Sequence, residues 1–320
     1  YQFDFIIIQT VAGLVAIYSL REMSSRAQVF RTALLVFITT CITYLTLKLM
    51  ESTEDFEFES SMYYHFLING VLLLLAYPLM FIVEKTFSFI SVITLIELSD
   101  TNKGILRKLS EEAHSITVGN LASEIANKIG AKSTLVRTGA LYHDIGKILA
   151  PAFFTENQQG GINPHDSLTY KESAQIIISH VTNGVKLAEE NALPVVIRDF
   201  ILTHHGRGLV KYFYIKYQNE HPDEIIDKEP FTYPGPNPST REQAILMMAD
   251  TCESASHSLS DYTEESISNL VNTLIDQQVA NGFFTECRIT FYDIAVAKQV
   301  LIERLKAIYH TRIQYPTAKS

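Results

Sequence analysis

The alternation of polar and apolar positions changes character near residue 90. Before it, three stretches are almost wholly apolar: Phe5 to Leu20, Thr32 to Leu47, and Tyr63 to Val83. A helix that crosses a bilayer needs about 20 such residues. The third stretch has that length, and the first two are somewhat short unless flanks such as Tyr18, Arg21 and Lys48 contribute. The connections between them differ in charge. Arg21, Arg26 and Arg31 follow the first run, whereas Glu51, Glu54, Asp55, Glu57 and Glu59 follow the second. Positive flanks mark the cytoplasmic side, so the third helix is predicted to end inside at Glu84-Lys85 and to deliver the rest of the chain to the cytoplasm. Pro78 is a candidate kink, and Thr86 to Leu98 reads as a helical connector.

From Asp100 onward the apolar residues recur at helical spacing and the segments stop at Gly or Pro. The pattern predicts helices over Ile116 to Ile129, Thr134 to Leu149, Lys171 to Asn191 with a break near Asn183-Gly184, and Val195 to His205. It continues with Val210 to Asn219, Thr240 to Ser258, Thr263 to Ala280 and Tyr292 to His310. Strand-like runs are scarce. The Pro-rich segment Tyr233 to Pro238 reads as a rigid ordered turn, because proline continues neither neighbouring helix. The expected fold is therefore all-α: transmembrane helices over 1–85, a connector over 86–99, and a cytoplasmic helical domain over 100–320.

Composition narrows the chemistry. A formal net charge of -9 argues against a nucleic-acid polymer as partner, since such a surface needs clustered Lys and Arg. Cys41, Cys252 and Cys287 lie far apart without CxxC spacing, which suggests neither a disulfide framework nor a thiolate zinc site. The sequence begins at Tyr1, with no charged segment and cleavage site before the first apolar run, and is read as a fragment of a longer membrane protein.

Six of the ten histidines fall between His114 and His205, and two pairs of adjacent candidate ligands stand out: His143-Asp144 and His204-His205. Consecutive helical side chains point about 100° apart. Each pair can thus present two donors to one cleft, the first from the middle of a helix and the second from a helix end. His114 just before a helix, His180 within one and Asp250 within a late one bring the candidates to seven. Nitrogen and oxygen donors without thiolate fit Mn²⁺ or Fe²⁺, and imidazole-rich sites also accept zinc, cobalt or nickel. Seven donors exceed the needs of one ion. Asp144 is the candidate bridge of a two-metal site for phosphoester hydrolysis, with Lys147 placed to steady charge on phosphate oxygens. A lone histidine is usually a bland hydrogen-bonded residue. Burying this many ionisable groups, several amid runs such as Ile176-Ile177-Ile178, is costly unless something binds them.

The order His114, His143-Asp144, His180, His204-His205, Asp250 resembles the HD phosphohydrolase superfamily, whose signature is H…HD…D. The resemblance is strongest to the seven-transmembrane HD family, the PgpH-type cyclic di-AMP phosphodiesterases. It is carried by Leu95-Ile96-Glu97-Leu98-Ser99-Asp100 and by Gly139-Ala140-Leu141-Tyr142-His143-Asp144-Ile145-Gly146-Lys147. Glu156-Asn157-Gln158, Asn163-Pro164-His165-Asp166, Tyr212-Phe213-Tyr214 and Met247-Met248-Ala249-Asp250 add to it. The resemblance implies one metal held by His114, His143, Asp144 and Asp250 and a second by Asp144, His180, His204 and His205. It also implies two divalent ions, Mn²⁺ or Fe²⁺, and cleavage of cyclic di-AMP to linear pApA under control of a membrane sensory region. One departure is that Glu111-Glu112-Ala113 leads straight into His114, without the Pro-Gly-Thr-like segment usual before this ligand. The Gly-Tyr-Pro signature of the cyclic di-GMP branch is absent from the sequence.

The location expected is a bacterial inner (cytoplasmic) membrane, crossed several times, with cyclic di-AMP and the lipid bilayer as partners and a homo-oligomer compatible with the reading. Asn163 and His165, between the His143-Asp144 pair and His180, are candidates either to contact substrate or to order their loop. Two alternatives are an HD hydrolase of another nucleotide, such as cyclic di-GMP, and a membrane receptor that binds a dinucleotide without cleaving it.

Overall fold

The computed structural model describes residues 2–21, 26–51, 60–87, 89–102, 104–108, 112–155, 158 and 163–309. The acidic loop carrying Glu54, Asp55, Glu57 and Glu59, together with Glu111, Glu156, Asn157 and His310, lies outside them. The described chain is helical, with a single isolated bridge between Leu209 and Thr232 as its nearest approach to a sheet. It forms two compact units, Tyr1–Leu98 and Ser99–Ser320.

The first unit contains α1 (Gln2–Leu20), α2 (Arg26–Glu51), α3 (Ser60–Phe87) and the short α4 (Val92–Leu98). Within the first three, Phe3–Leu20, Gln28–Met50 and Ser61–Phe87 are long and apolar enough to cross a membrane, with mean hydropathies of 1.8, 1.8 and 2.4. Their leucines face outward, as lipid would favour: Leu14, Leu34, Leu72 and Leu79 are all exposed. Polar contacts and small residues join the helices instead. The hydroxyls of Ser19 and Thr32 lie 2.7 Å apart between α1 and α2, and Gly70 of α3 leaves room for the Phe37 ring of α2. Helix α3 runs through Pro78 to Phe87. Beyond it the backbone leaves the helix before α4, so 86–98 is not one continuous helix. The Glu84 carboxylate accepts from Ser91 N at 3.0 Å and from Thr94 Oγ1 at 3.1 Å, fixing the start of α4.

The second unit is built from α5 (Glu112–Ile129), α6 (Ser133–Tyr142), α7 (Tyr170–Glu190), α8 (Val195–Thr203), α9 (Lys211–Glu220), α10 (Arg241–Ser256), α11 (Glu264–Ala280) and α12 (Phe291–Tyr309). Helix starts follow local chemistry. Thr169 with Glu172 and Thr240 with Gln243 form reciprocal capping boxes at α7 and α10. Gly130, at φ +71, ends α5, and Ala131 N then donates to Ala126 O at 2.8 Å.

At the centre lies α10, whose residues 243–250 are buried without interruption. A helix apolar on every side belongs in an interior. That makes the buried carboxylates of Asp250 and Glu253 on the same helix informative, because charge at such positions requires partners. The segment 233–238 forms the ordered turn expected: Tyr233 N donates to Gly208 O at 2.9 Å and Arg207 N to Asn237 Oδ1 at 3.0 Å.

Candidate metal centre

The helix predicted over 134–149 ends earlier, at Tyr142. His143 keeps helical angles, but Asp144, at φ -106 and ψ 13, leaves the helix, and a 3-10 turn spans Ile145–Leu149. His143-Asp144 therefore stands at a helix end and not in mid-helix. The reason is contact with α7. A Cβ on Gly146 would meet His180 O at 1.8 Å and Gly184 N at 2.6 Å. Only a glycine turn brings the backbone so close. Gly184 serves the same contact from the other side, so α7 runs unbroken through Asn183-Gly184, where a break was expected. His114 also differs from expectation: α5 begins at Glu112, which puts His114 in its first turn and not ahead of it. His204 caps the end of α8, as its position in the pattern suggested.

Two groups of donors result. His114, His143, Asp144 and Asp250 have ligand atoms within 4.8 Å of one another, and so do His180, His204 and His205. Asp144 lies between the groups. Its Oδ2 is 3.0 Å from His143 Nε2 and 3.6 Å from His114 Nε2, while its Oδ1 is 3.4 Å from His180 Nε2 and 3.6 Å from His204 Nε2. Asp250 Oδ1 completes the first group at 3.3 Å from His114 Nε2 and 3.4 Å from His143 Nε2. All these residues except His114 and His205 are buried.

The rings are aimed from behind. His143, His180 and His204 each place Nδ1 at 2.6–2.7 Å from the carbonyl three residues earlier, Ala140, Ile177 and Ile201 respectively. A carbonyl can only accept, so Nδ1 holds the proton and Nε2 turns inward. The inward Nε2 atoms of His180 and His204 then face each other at 3.1 Å. His143 Nε2 and Asp144 Oδ1 are buried without a hydrogen-bond partner. Converging imidazole nitrogens, buried polar atoms without a hydrogen-bond partner and a carboxylate between them form an arrangement that a divalent cation in each group would satisfy. The donors fit such ions by type as well, nitrogen and oxygen without sulfur.

Electrostatics divides the two groups. Burial alone would lower both His114 and His143, but the facing carboxylates outweigh it and hold them up at about 12 and about 10. Burial likewise acts to raise Asp144 and Asp250, yet the neighbouring histidines, with Lys147 beside Asp144, keep both well below the usual carboxylate range. In the second group burial prevails. It pushes His180 down to about 3 and His205 well below its ordinary value, so those rings are neutral donors.

Lys147 Nζ sits 3.0 Å from Asp144 Oδ2 and 5.1 Å from the Phe154 ring centre. Asn163 and His165 belong to neither donor group. Asn163 Oδ1 accepts from His165 N at 3.1 Å, His165 Nε2 lies 2.9 Å from Phe153 O, and its ring packs on Phe213. Two contributors were not singled out by sequence. Tyr233 stacks on His205 with ring centroids 4.2 Å apart, and Glu253 Oε2 lies 2.7 Å from His114 Nδ1. Glu253 stands one turn beyond Asp250, a spacing that by itself does not set it apart from any polar residue of a helix. Tyr233 was marked only as the first residue of the Pro-rich turn, not as a neighbour of the donors.

Residues 112–255 match the family model of the HD domain, and residues 1–91 match the model described as a 7TM receptor with intracellular HD hydrolase. The cyclic-di-AMP phosphodiesterase PgpH of Listeria monocytogenes is 37% identical over 316 residues, which is 97% of this chain and 44% of the relative. The protein of the same name from Bacillus subtilis is 35% identical over 315 residues, 96% of this chain and again 44% of the relative. The chain thus spans less than half the length of these relatives. Crystal structures of the L. monocytogenes PgpH HD domain, one of them in complex with cyclic di-AMP, align with TM-scores of 0.61 and 0.62 at 42% identity. They cover 65% and 66% of this chain and 100% of each solved chain.

Proposed function

Since the chain belongs to the family of 7TM receptors with an intracellular HD hydrolase, we propose that it is part of a membrane-bound phosphodiesterase that hydrolyses cyclic di-AMP to linear pApA. The observation that carries the reading is Asp144, whose two oxygens face two separate groups of donors. His114, His143, Asp144 and Asp250 would hold one divalent ion, and Asp144, His180, His204 and His205 the other, with Mn²⁺ or Fe²⁺ suited to the donors. Such a pair, when bound, supplies Lewis-acid polarisation of phosphoryl oxygens and activation of water at neutral pH.

The chain's own residues supply placement. Carbonyl-anchored imidazoles keep the donors in fixed positions, and burial keeps competing water out. Lys147 adds positive charge beside Asp144, where charge builds on phosphate oxygens as water adds to phosphorus and the ribose 3′ oxygen leaves with a proton. Asn163 and His165 act indirectly, by ordering the segment between the two halves of the site. The identity of the base is supported by the relatives, whose names and bound ligand concern cyclic di-AMP.

In this reading residues 1–85 are membrane helices of a larger sensory region, 86–99 link them to the hydrolase, and 100–320 form the HD domain. The site lies on the cytoplasmic face of a bacterial inner membrane, a side supported by Arg21, Arg26 and Arg31 after the first helix. Cyclic di-AMP and cyclic di-GMP offered to the Mn²⁺-loaded chain, with the products separated by chromatography, test the substrate. Linear pApA is expected to form faster than the guanine product. Equal or reversed rates would contradict the adenine assignment, and no cleavage of either would contradict the reaction.

A further inference from the structure

His114 is oriented differently from the other ligands. His143, His180 and His204 are each aimed by a carbonyl three residues earlier. His114 lies in the first turn of α5 and takes its orienting contact from another helix: Glu253 Oε2 of α10, at 2.7 Å from Nδ1. Its opposite nitrogen, Nε2, points at Asp250 Oδ1 and Asp144 Oδ2, at 3.3 and 3.6 Å. The other Glu253 oxygen, Oε1, meets His257 Nε2 at 3.1 Å, and Tyr309 Oη lies 3.3 Å from His257 Nδ1. Glu253 is 4% exposed. A carboxylate so deeply buried is costly unless its interactions repay desolvation.

We infer that Glu253 is a positioning residue for the ion held by His114, His143, Asp144 and Asp250: it fixes the His114 proton on Nδ1 and raises the basicity of Nε2. The inference rests on the two-metal reading above. Its physical basis is general, because a carboxylate behind a ligating imidazole sets tautomer, ring orientation and donor strength together. Three consequences separate this role from simple packing. Loss of the carboxylate affects one metal and not the other, because no second-group donor touches Glu253. Glu253→Gln, which keeps the shape and an acceptor oxygen but not the charge, falls between wild type and Glu253→Ala. His257→Ala, which removes only the outer neighbour, leaves both metals in place.

The test is Mn²⁺ titration of the full chain in detergent micelles after chelator treatment, with free Mn²⁺ read by electron paramagnetic resonance. Wild type is expected to bind two ions. In Glu253→Ala one site is expected to weaken by about 10- to 100-fold while the other keeps its affinity. Should the alanine variant fail to fold, the near-isosteric Glu253→Gln decides, with a smaller loss confined to one site. Wild-type binding at both sites in the glutamine and alanine variants would overturn the inference, and so would equal weakening of both. Two intact sites without hydrolysis of any cyclic dinucleotide would overturn the functional reading and leave this one standing. A wild-type chain that binds no Mn²⁺ would overturn both.

Discussion

Asp144→Asn is expected to lower hydrolysis of cyclic di-AMP by on the order of a thousandfold or more, while the protein still folds. The loss follows from position. Asp144 is, among the described residues, the one donor within 3.6 Å of nitrogens from both groups, so in the proposed two-metal site the substitution would remove negative charge from both ions at once. Metal assistance contributes several kcal/mol to transition-state stabilisation, and each 1.4 kcal/mol corresponds to about a decade in rate. Survival of the fold follows from charge. Deleting one member of a buried ion pair is damaging when its partner stays charged, but His143 is protonated largely because Asp144 and Asp250 face it. Without Asp144, the His143 ring still has Asp250 Oδ1 as a charged partner at 3.4 Å, and the Lys147 side chain is 13% exposed to solvent. Turnover of the Mn²⁺-loaded variant, alongside thermal denaturation without metal, checks both halves. Activity within a factor of about ten of wild type would rule out Asp144 as the shared ligand.

The second large effect is expected from Gly146→Ala. A methyl group there meets the His180 carbonyl at 1.8 Å and cannot be accommodated by rotating a side chain, because the neighbours are backbone atoms. The turn and α7 must move apart. We expect a loss of about 3 kcal/mol, the upper part of the usual overpacking range. For a unit of this size that corresponds to a fall of about 6–12 °C in Tm. The same displacement separates Asp144 from His180, now 3.4 Å away, so activity falls even below the melting range. Gly119→Ala is the control. It lies within α5, and its Cβ would stand 3.5 Å from Ala140 Cβ and from Arg137 Cγ, an ordinary contact. There the better helix former is expected to add about 0.5–1 kcal/mol. Circular dichroism melts of both variants provide the comparison, and similar behaviour of the two would refute the contact argument.

These glycines mark the limit of what one-dimensional pattern conveys. The apolar runs of α1 to α3 and the 3.6-residue periodicity of α7, α8, α11 and α12 were legible, since burial and membrane exposure leave their mark on every turn of a helix. The donors were legible as well, because His143-Asp144 and His204-His205 are unusual neighbours. Helix limits around the site were less so. Apolar residues continue past Tyr142, so periodicity extends the helix across His143, whereas the backbone stops because Gly146 must reach α7. Gly184 looked like a helix breaker and is instead one side of that contact, which depends on residues 38 positions apart. Glu253 reads as an ordinary polar residue of a helix. Its role exists only once α5 and α10 lie side by side.

The most direct measurement of the central claim is anomalous diffraction from crystals of the Mn²⁺-loaded protein. The account predicts two manganese peaks, one at His114, His143 and Asp250 and the other at His180, His204 and His205, with one oxygen of Asp144 directed to each. A single peak, or two peaks that Asp144 does not share, would contradict it.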